Sequence, residues 1–325
     1  MAFKKRFLKS EDNTGFGTNS NNSGGRFFNR DGTANVRKIG TGIFSRYSWY
    51  HTLLEMSRAK FLLLMIAAYF GVNLIFAFIY YMVGIEHLAG MAEGSPLKNF
   101  SEVFFFSTQT FTTVGYGRIS PTGFTTSLLA TLEAFLGLLS FAIITGLFYG
   151  RFSRPRAFLK YSPNAVIAPY KDGTALMFRM APYKNNMLSE AEVKLTMAME
   201  VEEGGVKKDK FYNLAIEISK INSLSLSWTI VHPIDENSAL AGFTEEDIRN
   251  TEMEIFVFVK AFDEIFSNTV VSRTSYLSSE IVWGAKFRLM YHPTEDGRST
   301  VLDMRLLNTY DKVTLPDPMP MPTPA

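Results

Sequence analysis

Cysteine is absent from the 325 residues, which excludes disulfides and thiolate metal sites and otherwise says little about compartment. Histidine is scarce as well: His51, His87, His232 and His292 lie in separate segments, at no metal-ligand spacing. Neither a nucleophile elbow nor a phosphate-binding glycine loop accompanies them, so nothing points to an enzyme. Charge is missing over two long stretches. Residues 61–84 contain none, and residues 122–150 contain only Glu133. Each stretch is long enough to cross a hydrocarbon layer of ~30 Å at ~1.5 Å per residue.

Between them lies the loop 85–121. It holds a further apolar stretch, Phe100 to Phe111, too short to span, and then Thr112-Thr113-Val114-Gly115-Tyr116-Gly117. Irregular backbone survives at membrane depth only when buried in protein or lining water. The economical order is span 61–84, re-entrant pore helix 100–112, filter 113–117, span 122–150. Asn99 followed by Glu102 fits an N-cap with its reciprocal acid. An extended Thr-Val-Gly-Tyr-Gly strand is a known potassium-filter signature, its carbonyls replacing the water shell of K+ when four copies face one axis. Those carbonyls must all point one way, which needs backbone angles that a Cβ makes costly and that Gly115 and Gly117 reach freely. One strand builds one side of each oxygen cage, so a closed fourfold oligomer is expected.

Arg58 and Lys60 precede the first span, and Arg151, Arg154, Arg156 and Lys160 follow the second, whereas the intervening loop offers only Lys98 and Arg118. This asymmetry predicts both termini on the cytoplasmic side. Residues 1–42, rich in Asn, Gly and Ser, read as a disordered cytoplasmic segment. Residues 43–60 mix aromatic and apolar side chains with Arg46, Glu55 and Arg58; they read as a helix lying in the headgroup plane, or as a linker packed on the soluble part.

After a linker at 151–163 the texture changes to short alternating segments. Val193, Leu195, Met197, Met199 and Val201 alternate with polar neighbours, the period-two signature of a half-buried strand. Further strand candidates are 174–180, 211–218, 226–231, 254–260, 268–274 and 281–291, with no helix-period segment between them. An antiparallel β-sandwich over 164–312 is the expected fold, followed by a disordered Pro- and Met-rich tail at 313–325. The net charge of +2 conceals an imbalance, +7 over residues 1–60 and −7 over 161–325. A basic juxtamembrane collar favours anionic lipid, and the acidic domain attracts cations and makes nucleic acid a poor partner.

Three blocks give the chain its resemblance to the prokaryotic branch of the inward-rectifier potassium channels: Thr113 to Gly117; Arg151-Phe152-Ser153-Arg154-Pro155; and two soluble stretches. These last, Leu226 to Asp235 and Arg273 to Gly284, are far more family-specific than the filter. The resemblance covers roughly residues 43–310. It implies a homotetramer in the bacterial inner membrane, with two spans per subunit and an immunoglobulin-like cytoplasmic sandwich continuing the pore. No cofactor is implied; K+ is the permeant ligand, with anionic lipid or Mg2+ as modulators.

The resemblance also assigns positions. Thr113, Val114, Gly115 and Tyr116 hold K+, Thr113 giving hydroxyl and carbonyl to the innermost site. Tyr149 matches the bulky inner gate, or is an interfacial tyrosine of the aromatic belt. Gly137 and Gly146 let the inner helix bend, or allow close helix packing. Arg151, Arg154 and Arg156, with Arg58 and Lys60, match a cluster that meets phosphoinositide-like headgroups, or serve only as orientation charges. Phe141 stands where strong rectifiers carry a cavity acid, near Thr145, so block by magnesium or polyamines is expected to be weak. Glu203 and Glu264 match acids of the cytoplasmic vestibule; Glu203 reads equally as solvated surface. Glu133, the one acid inside a span, is placed to support the filter from behind, and Gln109 replaces a pore-helix acid of many relatives. Arg118 follows the filter and needs a loop acid such as Glu86 or Glu93 to avoid repelling cations. The competing reading is a membrane-anchored sensing protein with a vestigial pore.

Overall fold

The computed structural model describes residues 26–37, 39–40, 42, 48–92, 94–203 and 206–316, except for the side chains of 202–207. It divides into two compact units, Ile39–Arg154 and Met1–Lys38 with Pro155–Ala325.

The first unit is helical. Helix α1 (Trp49–Glu55) is capped by the Ser48 side chain and occupies the described part of the interfacial segment; residues 43–47 lie outside the described residues. Helix α2 (Arg58–Val83) starts on a Ser57 cap, and α4 (Phe124–Phe152) follows Gly123. Both are long and apolar enough to cross a membrane. Between them stands α3 (Pro96–Phe111), which begins four residues before the expected start at 100. Ser95 caps it and Pro96 occupies its first turn, a pairing that pre-sets the helical φ and supplies the side-chain acceptor. The expected Asn99–Glu102 cap does not form: Glu102 instead accepts the Ala92 N–H.

Two short strands, β1 (Leu88–Ala89) and β2 (Ser120–Pro121), pair antiparallel and tie the loop after α2 to the segment leaving the filter. The Thr122 N–H to His87 carbonyl bond (2.8 Å) closes the same junction.

The second unit is an all-β sandwich. Its strands are β3 (Leu159–Tyr161), β4 (Ala165–Tyr170), β5 (Gly173–Pro182), β6 (Leu188–Glu203), β7 (Val206–Leu214), β8 (Lys220–Leu224), β9 (Trp228–Ile234), β10 (Met253–Asp263), β11 (Asn268–Leu277) and β12 (Ile281–Trp283). One sheet runs β11-β10-β6-β7 with β8 also on β6; the other runs β12-β4-β5-β3 with β9 also on β5. Val193, Leu195 and Met197 pair with Val259, Val257 and Ile255 in turn along one sheet, and Leu176, Phe178, Met180 and Ile230 complete the core from the other.

Four expectations are corrected here. The stretch 281–291 is not one strand: Gly284, at φ 64 and with no room for a Cβ beside the Val313 carbonyl (2.8 Å), breaks it into β12 and β13 (Ala285–Phe287). The 151–163 linker contains the end of α4 and all of β3. A short helix α5 (Glu245–Asn250), with a Thr244–Asp247 capping box, interrupts the β pattern. Residues 26–36, read as part of a disordered segment, are folded: Phe28 bridges Ala34, and Phe27 packs edge-on against Phe211 and Phe256 at 6.0 and 5.7 Å. Residues 1–25 and 317–325 lie outside the described residues.

Candidate functional site

Helix α3 ends at a Thr112 cap, whose N–H and hydroxyl both donate to the Thr108 carbonyl (3.1 and 2.7 Å). The chain then turns on itself. Thr113 N–H donates to Thr110 O (3.0 Å), and Val114 and Gly115 N–H both donate to Gln109 O (2.9 and 3.3 Å). The Gln109 and Thr110 carbonyls of the last helical turn are thereby satisfied by the strand that follows. Gln109 enters the site through its backbone.

Left-handed angles recur at every second residue of the strand: Thr113 (φ 57), Gly115 (φ 52) and Gly117 (φ 81). The glycines reach this region freely. Thr113 carries a Cβ there, a strain of roughly 1–2 kcal/mol. Among the described residues no donor reaches the carbonyl oxygens of Thr113, Val114, Gly115 or Tyr116.

Where α2, α3 and α4 meet lies a buried polar cluster. The Glu133 carboxyl on α4 accepts the Tyr80 hydroxyl of α2 (2.8 Å) and the Ser107 hydroxyl of α3 (2.5 Å). Ser107 Oγ also lies 3.2 Å from both the backbone and side-chain oxygens of Asn73. Asn73, Tyr80, Ser107 and Glu133 are each fully buried, at 0% exposure. Sequence reasoning found Glu133 and missed its partners. Asn73 and Tyr80, seven residues apart and hence on one face of an otherwise apolar helix, were the available signal.

One turn beyond Glu133, a Cβ at Gly137 would stand 1.8 Å from the Phe111 carbonyl oxygen, whereas Gly146 has open space around it in the subunit. Gly137 therefore serves close packing of α4 on α3.

Phe141, Thr145 and Tyr149 recur every four residues along α4 and are exposed in the single subunit, so they share one helical stripe. Arg118 does not bond Glu86, and Glu93 lies outside the described residues. Its partner is Glu102 on α3, at 3.3 Å.

The basic residues separate. Arg151 is engaged by protein: its guanidinium donates to the Leu53 and Met56 carbonyls (2.5 and 2.7 Å) and lies 4.4 Å over the Phe61 ring. It latches α4 to the joint between α1 and α2. Arg58, Lys60 and Arg156 are exposed and Arg154 half-buried. Glu264 is exposed in the turn after β10, and the Glu203 side chain lies outside the described residues.

Comparison with known proteins places this arrangement. The model of the inward rectifier potassium channel C-terminal domain matches residues 159–321, and an ion channel model matches 68–154. The chain is 34% identical over 278 residues to the inward rectifier potassium channel Kirbac3.1 of Paramagnetospirillum magnetotacticum, covering 84% of this chain and 92% of that one. It is 25% identical over 287 residues to the inward rectifier potassium channel irk-1 of Caenorhabditis elegans, covering 82% of this chain and 53% of that protein. A solved structure of the sporulation control protein Spo0M from Bacillus subtilis, with a TM-score of 0.19 and 8% identity over 38% of this chain and 49% of that one, is too distant to bear on the fold. The protein is an integral membrane ion channel and not an enzyme, and it belongs to the prokaryotic branch of the inward-rectifier potassium channel family.

Proposed function

We propose that four copies of this chain conduct K+ passively through a filter built from residues 113–117. The observation that carries the reading is the run of four successive carbonyls without a donor, set by left-handed backbone at alternate residues. Unpaired carbonyls cost several kcal/mol each at membrane depth. Converging on a dehydrated cation, they are satisfied by it, and ions advance by mutual repulsion between neighbouring sites. Tyr149 forms the inner constriction and Phe141 and Thr145 line the cavity. Glu264 and Glu203 belong to the vestibule below, and both termini lie in the cytoplasm.

Anionic lipid acts through Arg58, Lys60, Arg154 and Arg156, whose exposed or half-buried side chains are available to headgroups. Arg151 contributes by holding α1 in place, since two of its donors are engaged by the Leu53 and Met56 carbonyls. With Phe141 in place of an acid, magnesium and polyamine block is weak.

Purified protein in liposomes tests both conduction and the sign of lipid regulation. Barium-sensitive K+ uptake, excluding Na+ and altered by added phosphoinositide, is the expected result. Equal Na+ uptake, or a monomer in the bilayer, overturns the reading.

A further inference from the structure

Helices α3 and α4 meet in matched register over two consecutive turns. Glu133 contacts Ser107, and four residues later on both helices Gly137 meets Phe111. The first contact is a short hydrogen bond, and the second is backbone against backbone with no side chain between. Two residues after Ser107 comes Gln109, whose carbonyl holds the Val114 and Gly115 N–H groups. A continuous path therefore runs from the inner helix, through one hydroxyl, into the amides of the filter strand.

We propose that Ser107 is a positioning residue for ion selection, fixing the filter strand through its hydrogen bond to Glu133, with Tyr80 setting the orientation of the carboxyl group. The inference rests on the reading of residues 113–117 as the filter. Ser107 has a single hydroxyl proton, and the shortest of its three contacts takes it, leaving the Asn73 oxygens 3.2 Å away as neighbours. Tyr80 donates to the second carboxyl oxygen, so Glu133 is held from two helices at once. The cluster is fully buried, which leaves no exchange with bulk water to blur its geometry. Removing the Ser107 hydroxyl leaves a carboxyl oxygen without its donor, and frees the last turns of α3 to shift by a fraction of an ångström. Carbonyl cages that distinguish K+ from Na+ by distance and dipole are sensitive to displacements of that size.

The test compares Ser107→Ala, Ser107→Thr, Glu133→Gln and Glu133→Leu with wild type and Gly115→Ala, all as full-length protein in liposomes. Tetramer yield, melting temperature and the K+/Na+ permeability ratio are measured on each. Ser107→Ala and Glu133→Leu are expected to lower the ratio at least about tenfold, equivalent to about 1.4 kcal/mol of lost discrimination. In Ser107→Ala the tetramer yield is expected to stay at the wild-type level. Ser107→Thr keeps the hydroxyl and Glu133→Gln keeps an acceptor, so both retain most of the selectivity. A wild-type ratio in Ser107→Ala, beside lost selectivity in Gly115→Ala, overturns the positioning role while leaving the filter reading intact. Loss of the assembled tetramer in Ser107→Ala also overturns it, reducing the residue to a packing role. If Gly115→Ala itself keeps its selectivity, the filter reading fails first.

Discussion

The α-carbon of Gly137 faces the carbonyl oxygen of Phe111 so closely that a methyl group there would lie 1.8 Å from that oxygen. No rotamer relieves such a clash, because both partners are main chain. Gly137→Ala is expected to force α3 and α4 apart, costing on the order of 1–3 kcal/mol per subunit. A melt of the tetramer in detergent should show a lower midpoint than wild type. A midpoint equal to that of Gly146→Ala, where the structure has open space, would contradict the contact.

Phe141 shares a stripe of α4 with Thr145 and Tyr149 and is exposed in the subunit. Placing a carboxylate in the cavity attracts a divalent ion from the cytoplasmic side. Phe141→Asp is expected to increase voltage-dependent block by internal Mg2+, seen as steeper inward rectification in planar bilayers. An unchanged current–voltage curve would place the side chain away from the ion path.

Residues 26–36 are anchored chiefly by acids far along the chain. Glu280 accepts from Arg26 and Arg30, each at 2.6 Å, and Glu254 accepts the Phe27 and Phe28 N–H groups (2.6 and 3.2 Å). Burial alone raises the Glu280 pKa, but hydrogen bonds from Arg26, the Leu277 N–H and Arg30 outweigh it and hold it below the usual carboxylate range. Its contribution is therefore present above the unfolded value of 4.5 and is lost as pH falls through the lower folded value. Glu280→Gln should expose Arg26 and Arg30 to trypsin at least about tenfold faster at neutral pH, since it removes the charged acceptor shared by both guanidinium groups and leaves Arg26 with Ser275. Wild-type protection in that variant would mean that the aromatic contacts suffice.

His232 sits in β9 with Nδ1 2.6 Å from the Ala215 carbonyl and Nε2 2.7 Å from the Ser238 hydroxyl. A carbonyl only accepts, so Nδ1 carries the proton and neutral Nε2 accepts from Ser238. Burial pushes the pKa below its ordinary 6.5. The unfolded chain thus binds a proton that the folded domain refuses, and stability is full above 6.5 and declines as pH falls beneath it. Thermal melts between pH 7 and 5 should show a smaller decline for His232→Gln than for wild type. Parallel profiles would assign the acid sensitivity to other groups.

The spans and the left-handed backbone of residues 113–117 were legible because their signals are local: uninterrupted apolar length, and glycines where positive φ recurs. Strand β6 was legible by alternation. Strand β4 was not, for it is covered on both faces. Ala165 and Ile167 face the main core, while Val166 and Ala168 pack with Ala285 and Phe287, so its sequence shows a continuous apolar run without a period.

Long-range partners were the other blind spot. The folded piece 26–36 is short and sits in a polar stretch whose composition masks it, and its anchoring acids lie more than 220 positions away. Glu102 was assigned to a helix cap and proved to be the counter-charge of Arg118. Glu133 was identified as a support, whereas Ser107 gave no sign of its role until α3 was seen in register with α4.

The inner helix thus has two mechanical halves. Above Gly137 it is clamped main chain to main chain against α3, and past Gly146 it is held by side chains, Arg151 on the Leu53 and Met56 carbonyls and Phe148 against Phe61. The half held by side chains is the one with room to bend, around Gly146. On the proposed reading, movement at Tyr149 is decoupled from residues 113–117 by the main-chain contact at Gly137.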